Sequence, residues 1–228
     1  MSSVSGAVTN CWSCGAARAP DAPLCPACGK VQPVPPNKAG ETRVADKFAM
    51  LGFPRAFDLD AEKLAEQFRA LSRKLHPDRF ARASPQERRF ALEQTTRLND
   101  AHRTLREPSR RAEHLLELRG IHLAGEHESR LPVAQPVQMP MEFLEEMMEA
   151  REELLEAKHG EGGAAKMAEL GAEMEKKRAA TLEKVAELLR ALEGPQAPPI
   201  QTVAEQIARL RYQDRYLDEA FSRGEGER

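Results

Sequence analysis

Four cysteines fall between positions 11 and 28 of the 228-residue chain, and there are no others. They read Cys11-Trp-Ser-Cys14-Gly and Cys25-Pro-Ala-Cys28-Gly, with ten residues between Cys14 and Cys25. Two residues between thiolates let one turn aim both sulfurs at the same ion, and Gly15 and Gly29 allow the backbone to take positive φ beside them. Four thiolates in tetrahedral array suit zinc (Zn2+), and the site is structural because no ligand position stays open. An iron centre of rubredoxin type and two reversible disulfides are the other chemistries this spacing allows. A redox CxxC sits at a helix start beside a strand, and neither is evident here. Trp12 reads as packing over the knuckle rather than binding a base.

A second constellation is Leu75-His76-Pro77-Asp78-Arg79-Phe80. Pro77 breaks a helix and stiffens the turn, so His76 and Asp78 project from a loop tip. Residues 61–82 hold six basic side chains (Lys63, Arg69, Arg73, Lys74, Arg79, Arg82) against three acidic ones (Glu62, Glu66, Asp78). This locally basic face suits an acidic protein partner. The plainer alternative is a helix–turn–helix bend with a solvated charged face. A third constellation lies in residues 141–160, with seven Glu and two Lys or Arg. Phe143, Met147, Ala150 and Leu154 form a narrow core-facing stripe, with Leu144 and Met148 at its flank. Glu145, Glu149, Glu152 and Glu156 lie further round. Either this is a core face backed by solvated acid, or it is an amphipathic docking surface.

These groups must be carried by helices. Aromatics are only 5% of the chain and charged residues 31%, with Ala, Leu, Glu, Arg and Lys dominant, which disfavours a β-sandwich or a large α/β core. Composition divides the chain into a cysteine module and proline-rich linker (1–42), a charged Leu-rich helical region (43–120), a second linker (121–140) and a C-terminal helical region (141–228). Helices are predicted near 44–51, 60–74, from 84 to Pro108, 109–119, 140–158, 163–193 and 200–221. Asp60 caps the second, and Leu64, Phe68, Leu71 and Leu75 give it one apolar stripe. Ser84-Pro85 starts the third, whose buried side is read as Phe90, Leu92, Leu98, Ala101 and Leu105. Ala112, Leu115, Leu116 and Leu118 face inward from the fourth. The last six residues read as a frayed tail. His102, His114, His122, His127 and His159 read as surface or helix-packing residues. Pro35 and Pro36 make the first linker a poor conduit, so loss of the metal is expected to unfold residues 10–30 and leave the helices of 43–120 standing.

Several function classes drop out. No run approaches the ~18 apolar residues of a membrane span. The first ten residues carry no Lys or Arg, so neither a signal nor a transit peptide is visible and a cytoplasmic location is expected. A zinc enzyme is disfavoured because all four cysteines are consumed as ligands. No GxxxxGK[ST] loop is present, hence no ATP site of that kind. A zinc-ribbon nucleic-acid-binding protein is the second reading; against it, net charge is −2 and aromatics do not interleave with the basic residues.

The tripeptide His76-Pro77-Asp78, in a basic helical hairpin, resembles the J-domain of DnaJ-type co-chaperones. The stretches KFAMLGFPRAFDLDAEKLAEQFRALSRKLHPDRF, RLNDAHRTLREPSRRAEHLLELRG (97–120) and FLEEMMEAREELLEA (143–157) narrow the resemblance to the HscB family of iron–sulfur co-chaperones. It covers about 43–222, and an N-terminal two-CxxC module is also seen in eukaryotic members. The resemblance implies a mainly α fold: a small zinc-knuckle module, a J-domain helical hairpin and a C-terminal three-helix bundle. It implies a non-enzymatic co-chaperone that activates a partner's ATPase. His76, Pro77 and Asp78, with Arg69, Arg73, Lys74 and Arg79, would dock on a DnaK/HscA-like chaperone. Leu144, Glu145, Met148, Glu149, Glu152, Glu156 and Tyr212 would bind an IscU-like Fe–S scaffold protein. Glu145 stands where the family pattern has an apolar residue and Tyr212 where it has Phe, which makes the surface more polar. No nucleic-acid or membrane partner is implied.

Overall fold

The computed structural model describes residues 9–35, 44–123, 134–135, 137–160, 163–192 and 194–221. His127 and the predicted tail lie outside them, as does most of the 121–140 linker. The chain divides into two compact units, Met1–Leu118 and Arg119–Arg228.

The first unit opens with a short antiparallel ribbon, β1 (Thr9–Asn10) and β2 (Ala17–Arg18). Four helices follow: α1 (Lys47–Leu51), α2 (Ala61–Leu75), α3 (Pro85–Arg106) and α4 (Pro108–Glu117). Their boundaries follow local chemistry. Asp60 accepts the backbone N–H groups of Glu62 and Lys63 at the start of α2. Ser84 and Glu87 form a reciprocal capping box at the start of α3, where each such cap is worth about 1 kcal/mol. Pro77 ends α2, and Pro108 separates α3 from α4 because neither ring can continue the preceding helix.

Thr95 Oγ1 on α3 donates to the Leu75 carbonyl of α2 at 3.1 Å, and the rings of Phe68 and His102 stack with centroids 4.0 Å apart. The two helices therefore run antiparallel as a hairpin. Phe48, Leu51, Leu64, Leu75, Leu98, Leu105 and Leu116 are fully buried between α1, α2, α3 and α4. His114 is buried too, stacked on Phe48, with Nε2 accepting the Lys47 N–H at 3.2 Å. The remaining ring proton therefore sits on Nδ1, 3.0 Å from a Glu117 oxygen. One expected core residue is not one: Leu92 is 62% exposed. It lies two residues from Phe90 and six from Leu98, which on a 3.6-residue period turns it to the opposite side of α3.

In the second unit, β3 (His122–Leu123) pairs in parallel with β4 (Ala134–Gln135), where the sequence predicts only linker. Then come α5 (Met141–His159), α6 (Gly163–Ala191) and α7 (Ile200–Ala220). Cross-links fix an up-down-up order. Lys177 of α6 meets Glu146 of α5 at 2.8 Å, while Arg178 and Thr181 of α6 meet Asp214 and Gln213 of α7. Leu154, Ala157, Leu170, Met174, Tyr216, Leu217 and Ala220 form a core cluster of this bundle, with Met147 and Ala150 packed against it. The predicted inward stripe of α5 therefore faces α6 and α7.

Candidate functional site

The cysteine cluster is built from two copies of one turn. Gly15 N–H bonds the Cys11 carbonyl at 3.0 Å, and Gly29 N–H bonds the Cys25 carbonyl at 2.9 Å. Both glycines have positive φ, 72° and 70°, which a side chain would oppose. Each turn is closed from outside, by Cys11 N–H on the Ala16 carbonyl and Cys25 N–H on the Lys30 carbonyl, both at 2.9 Å. All four Sγ atoms come within 4.8 Å of one another, with Cys11–Cys28 and Cys14–Cys25 at 3.7 Å. The cysteines are free, and 3.7 Å is far beyond a disulfide bond of about 2.05 Å. It matches the ~3.8 Å edge of a tetrahedron with ~2.3 Å metal–sulfur bonds.

Crowding also splits the thiols electrostatically. At Cys11 lost hydration favours the thiol, but the N–H groups of Cys14 and Ser13 and the neighbouring sulfurs outweigh it, lowering the pKa to about 6. At Cys28 the Lys30 N–H favours the thiolate. Lost hydration and the other three sulfurs win there and push the thiol up to about 12. A cation at the centre removes that conflict by letting all four ionise. The four cysteines are placed to bind a metal ion.

The module does not hang from its linker. Asp21 is buried and its carboxylate meets Arg97 of α3 at 2.7 Å. Lys30 Nζ lies 2.6 Å from Glu87, the Gln32 carbonyl accepts from Gln94 Nε2 at 2.9 Å, and Trp12 sits edge-on to Phe90 at 6.0 Å. Val31 and Gln32, which lead from the second knuckle toward the proline-rich linker, are fully buried. The Lys30 ammonium holds the Glu87 carboxyl below the usual range. The premise that only the linker joins the module to the 43–120 helices therefore does not hold. α3 offers a direct contact route between the module and the helices, beside the linker. Arg97→Met keeps the aliphatic stem but strips buried Asp21 of its guanidinium. It is expected to cost the first unit about 2–3 kcal/mol, read as a lower midpoint in urea with an unchanged m-value.

The tripeptide sits at the corner between α2 and α3. A short 3-10 turn, Pro77–Phe80, begins with the proline, and Arg79 N–H bonds the His76 carbonyl at 3.0 Å. His76 Nδ1 accepts the Asp78 N–H at 3.3 Å, which leaves Nε2 to carry the proton of the neutral ring. The His76 side chain is 59% exposed and that of Asp78 90%, their nearest polar atoms 3.5 Å apart. Arg69, Arg73, Lys74 and Arg79 are also exposed on α2 and the corner. Among the described residues, none of these four basic side chains is paired with an acidic one.

On α5 the inward stripe leaves a solvent face that is not purely acidic. Met141 and Met148 are each 65% exposed, Leu155 is exposed, and Leu144 is half-buried beside them. Glu145, Glu149, Glu152 and Glu156 are exposed around this stripe. Tyr212 of α7 is exposed and stands edge-on to Phe143 at 5.8 Å, with Arg209 over the other ring at 4.4 Å. The structure thus brings Tyr212 to α5 across 68 positions of sequence. Met141 and Leu155 were missed by reading the helix from its core side; the seven-residue spacing Met141, Met148, Leu155 is the signal that finds them.

A co-chaperone of the HscB homologue group from Vibrio vulnificus strain YJ016 is 36% identical over 172 residues, 75% of this chain and 96% of that protein. The chain belongs to the HscB co-chaperone family. Its role is that of a co-chaperone in iron–sulfur cluster assembly. A homologue from Shewanella halifaxensis is 38% identical over 173 residues, 75% of this chain and 92% of that protein. Residues 139–220 match the family described as HSCB C-terminal oligomerisation domain. The solved chaperone HscB from Vibrio cholerae superposes with TM-score 0.65 at 31% identity, covering 78% of this chain and 96% of that one. Human co-chaperone protein HscB gives 0.71 at 27% identity, covering 94% of this chain and 98% of that one, a span too long to omit the whole cysteine module. The expected fold class is the observed one. The nucleic-acid reading is not favoured by any of these HscB relatives. Among the described residues no helix is long and apolar enough to cross a membrane.

Proposed function

We propose that this HscB-family protein binds an IscU-like Fe–S scaffold on the α5–α7 face and delivers it to a DnaK/HscA-like chaperone, whose ATPase it stimulates through the 76–79 corner. The observation that supports this reading is the exposure of His76, Pro77 and Asp78 at a corner flanked by the exposed basic side chains of Arg69, Arg73, Lys74 and Arg79. An exposed carboxylate such as that of Asp78 can take two parallel bonds from a partner guanidinium. Pro77 holds the turn before contact and so lowers the ordering cost of docking. Stimulation follows only if docking favours the partner's hydrolytic state over its resting one. The chain then acts as an activator without an ATP site of its own. Leu144, Met148 and Tyr212 supply the apolar anchors for the scaffold, and Glu145, Glu149, Glu152 and Glu156 its charged rim.

The reading is tested by titrating this protein into a DnaK/HscA-like ATPase with and without the scaffold. A saturable rise in turnover is expected, steeper with scaffold present; a flat titration in both cases abandons it.

Zinc is the proposed ion for Cys11, Cys14, Cys25 and Cys28, and bound there it supplies a cross-link and no reaction. Thiol titration should release one zinc per chain without a visible charge-transfer band. A coloured, iron-bearing protein overturns the assignment.

A further inference from the structure

The contacts that the cysteine module makes with α3 fall on one stripe of that helix, while Asp21 also accepts the Asp46 N–H at the start of α1 at 3.3 Å. Glu87, Phe90, Gln94 and Arg97 succeed one another at i, i+3, i+7 and i+10, the spacing of a single helix face. Each is met from the module: Glu87 by Lys30, Phe90 by Trp12, Gln94 by the Gln32 carbonyl and Arg97 by Asp21. The stripe starts at the capping box. One Glu87 oxygen takes Lys30 at 2.6 Å, while the other accepts from Ser84 Oγ at 3.1 Å and Ser84 N–H at 3.4 Å. Ser84 is the residue on which the corner loop ends. From there consecutive turns run back to the tripeptide, with Ala83 N–H on the Phe80 carbonyl, Ala81 N–H on Asp78 and Arg79 N–H on His76.

We infer that the metal-loaded module is a brace for the docking corner, and that Lys30 is a positioning residue acting through Glu87 and Ser84 on the loop carrying His76 and Asp78. The direction of Lys30 depends on the ion. It follows Cys28 and Gly29 directly, and its carbonyl closes the second knuckle on Cys25. Once the four sulfurs lose their common centre, that lysine's backbone is held by hydrogen bonds to its carbonyl, from Cys25 N–H at 2.9 Å and Gln32 Nε2 at 2.8 Å. Glu87 then keeps its bonds to Ser84 but loses the cation that holds it from the far side. Gln94 and Arg97 anchor the same module further along α3, so the brace grips the helix along its N-terminal half rather than at one point. Lys30 is about half exposed, so its ion pair is screened and the effect is one of positioning more than of stability.

This inference rests on the docking role proposed for residues 76–79, and the test separates the two. Amide hydrogen exchange is followed on the full chain, zinc-loaded and after chelation, and on zinc-loaded Lys30→Met and Lys30→Arg. Amides of residues 77–90 are expected to exchange about 3–10-fold faster in Lys30→Met, and faster still after chelation. Those of α6 should be unchanged, and Lys30→Arg should behave as wild type. In the partner ATPase assay, Lys30→Met should raise the concentration giving half-maximal stimulation about 3–10-fold and leave the maximum intact. Unchanged exchange over 77–90 in Lys30→Met overturns the brace, as does chelation that loosens only residues 9–32. Should chelation unfold the whole first unit, Lys30→Met alone decides. If wild type gives no ATPase stimulation, the docking role fails, while the exchange result still decides the brace.

Discussion

Alanine at His76 or at Asp78 is expected to remove ATPase stimulation almost entirely and to leave scaffold affinity unchanged. Asp78 is 90% exposed and His76 59%, so neither side chain holds the fold together. Truncation should change the midpoint of thermal unfolding by little, because surface changes away from packed features usually stay within ~0.5 kcal/mol. In a complex the balance reverses. A desolvated carboxylate–guanidinium contact is worth about 1.5–3 kcal/mol, and removing one partner also leaves the other charge buried and alone. A loss near 3 kcal/mol corresponds to roughly 100-fold in affinity for the docked state. Steady-state ATPase with increasing co-chaperone, beside calorimetric scaffold titration, separates the two activities. Loss of scaffold binding with stimulation retained would reverse the role assignment.

Replacing Leu144 and Met148 together by alanine is expected to do the converse. Both lie off the buried stripe of Phe143, Met147, Ala150 and Leu154, and Met148 is 65% exposed. The bundle should therefore keep its helicity and its melting temperature. Exposed apolar side chains framed by carboxylates are the kind that become binding anchors, each worth about 1–2 kcal/mol or more on truncation. The pair should weaken scaffold binding roughly 30–1,000-fold. ATPase stimulation by the co-chaperone alone should persist, while the additional stimulation brought by scaffold should vanish. Undiminished scaffold affinity in the double variant would remove α5 from the proposed interface.

Much of this was legible in the residues. Proline at 77, 85 and 108 and caps at Asp60 and Ser84 mark the helix ends within a residue or two, because each acts on its own backbone neighbours. The cysteine spacing fixes the metal cluster for the same local reason. What periodicity misses is contact between polar surfaces. Glu87, Gln94 and Arg97 look like solvent-facing residues of α3, and only the folded chain shows that the knuckles cover them. Leu92 fails in the opposite sense: it is apolar, yet the angle along the helix carries it away from Leu98 and Leu105. The docking of Tyr212 beside Phe143 is a tertiary event with no local signature.

That last pairing bears on the order in which the two activities arise. The residues of the α2–α3 corner all lie on two consecutive helices and the turn between them. The proposed cargo face includes an aromatic from α7, folded back against α5. On the proposed assignment, a nascent chain presents its docking corner before its cargo face is complete, and a nick that frees α7 is expected to return the protein to that empty-handed state.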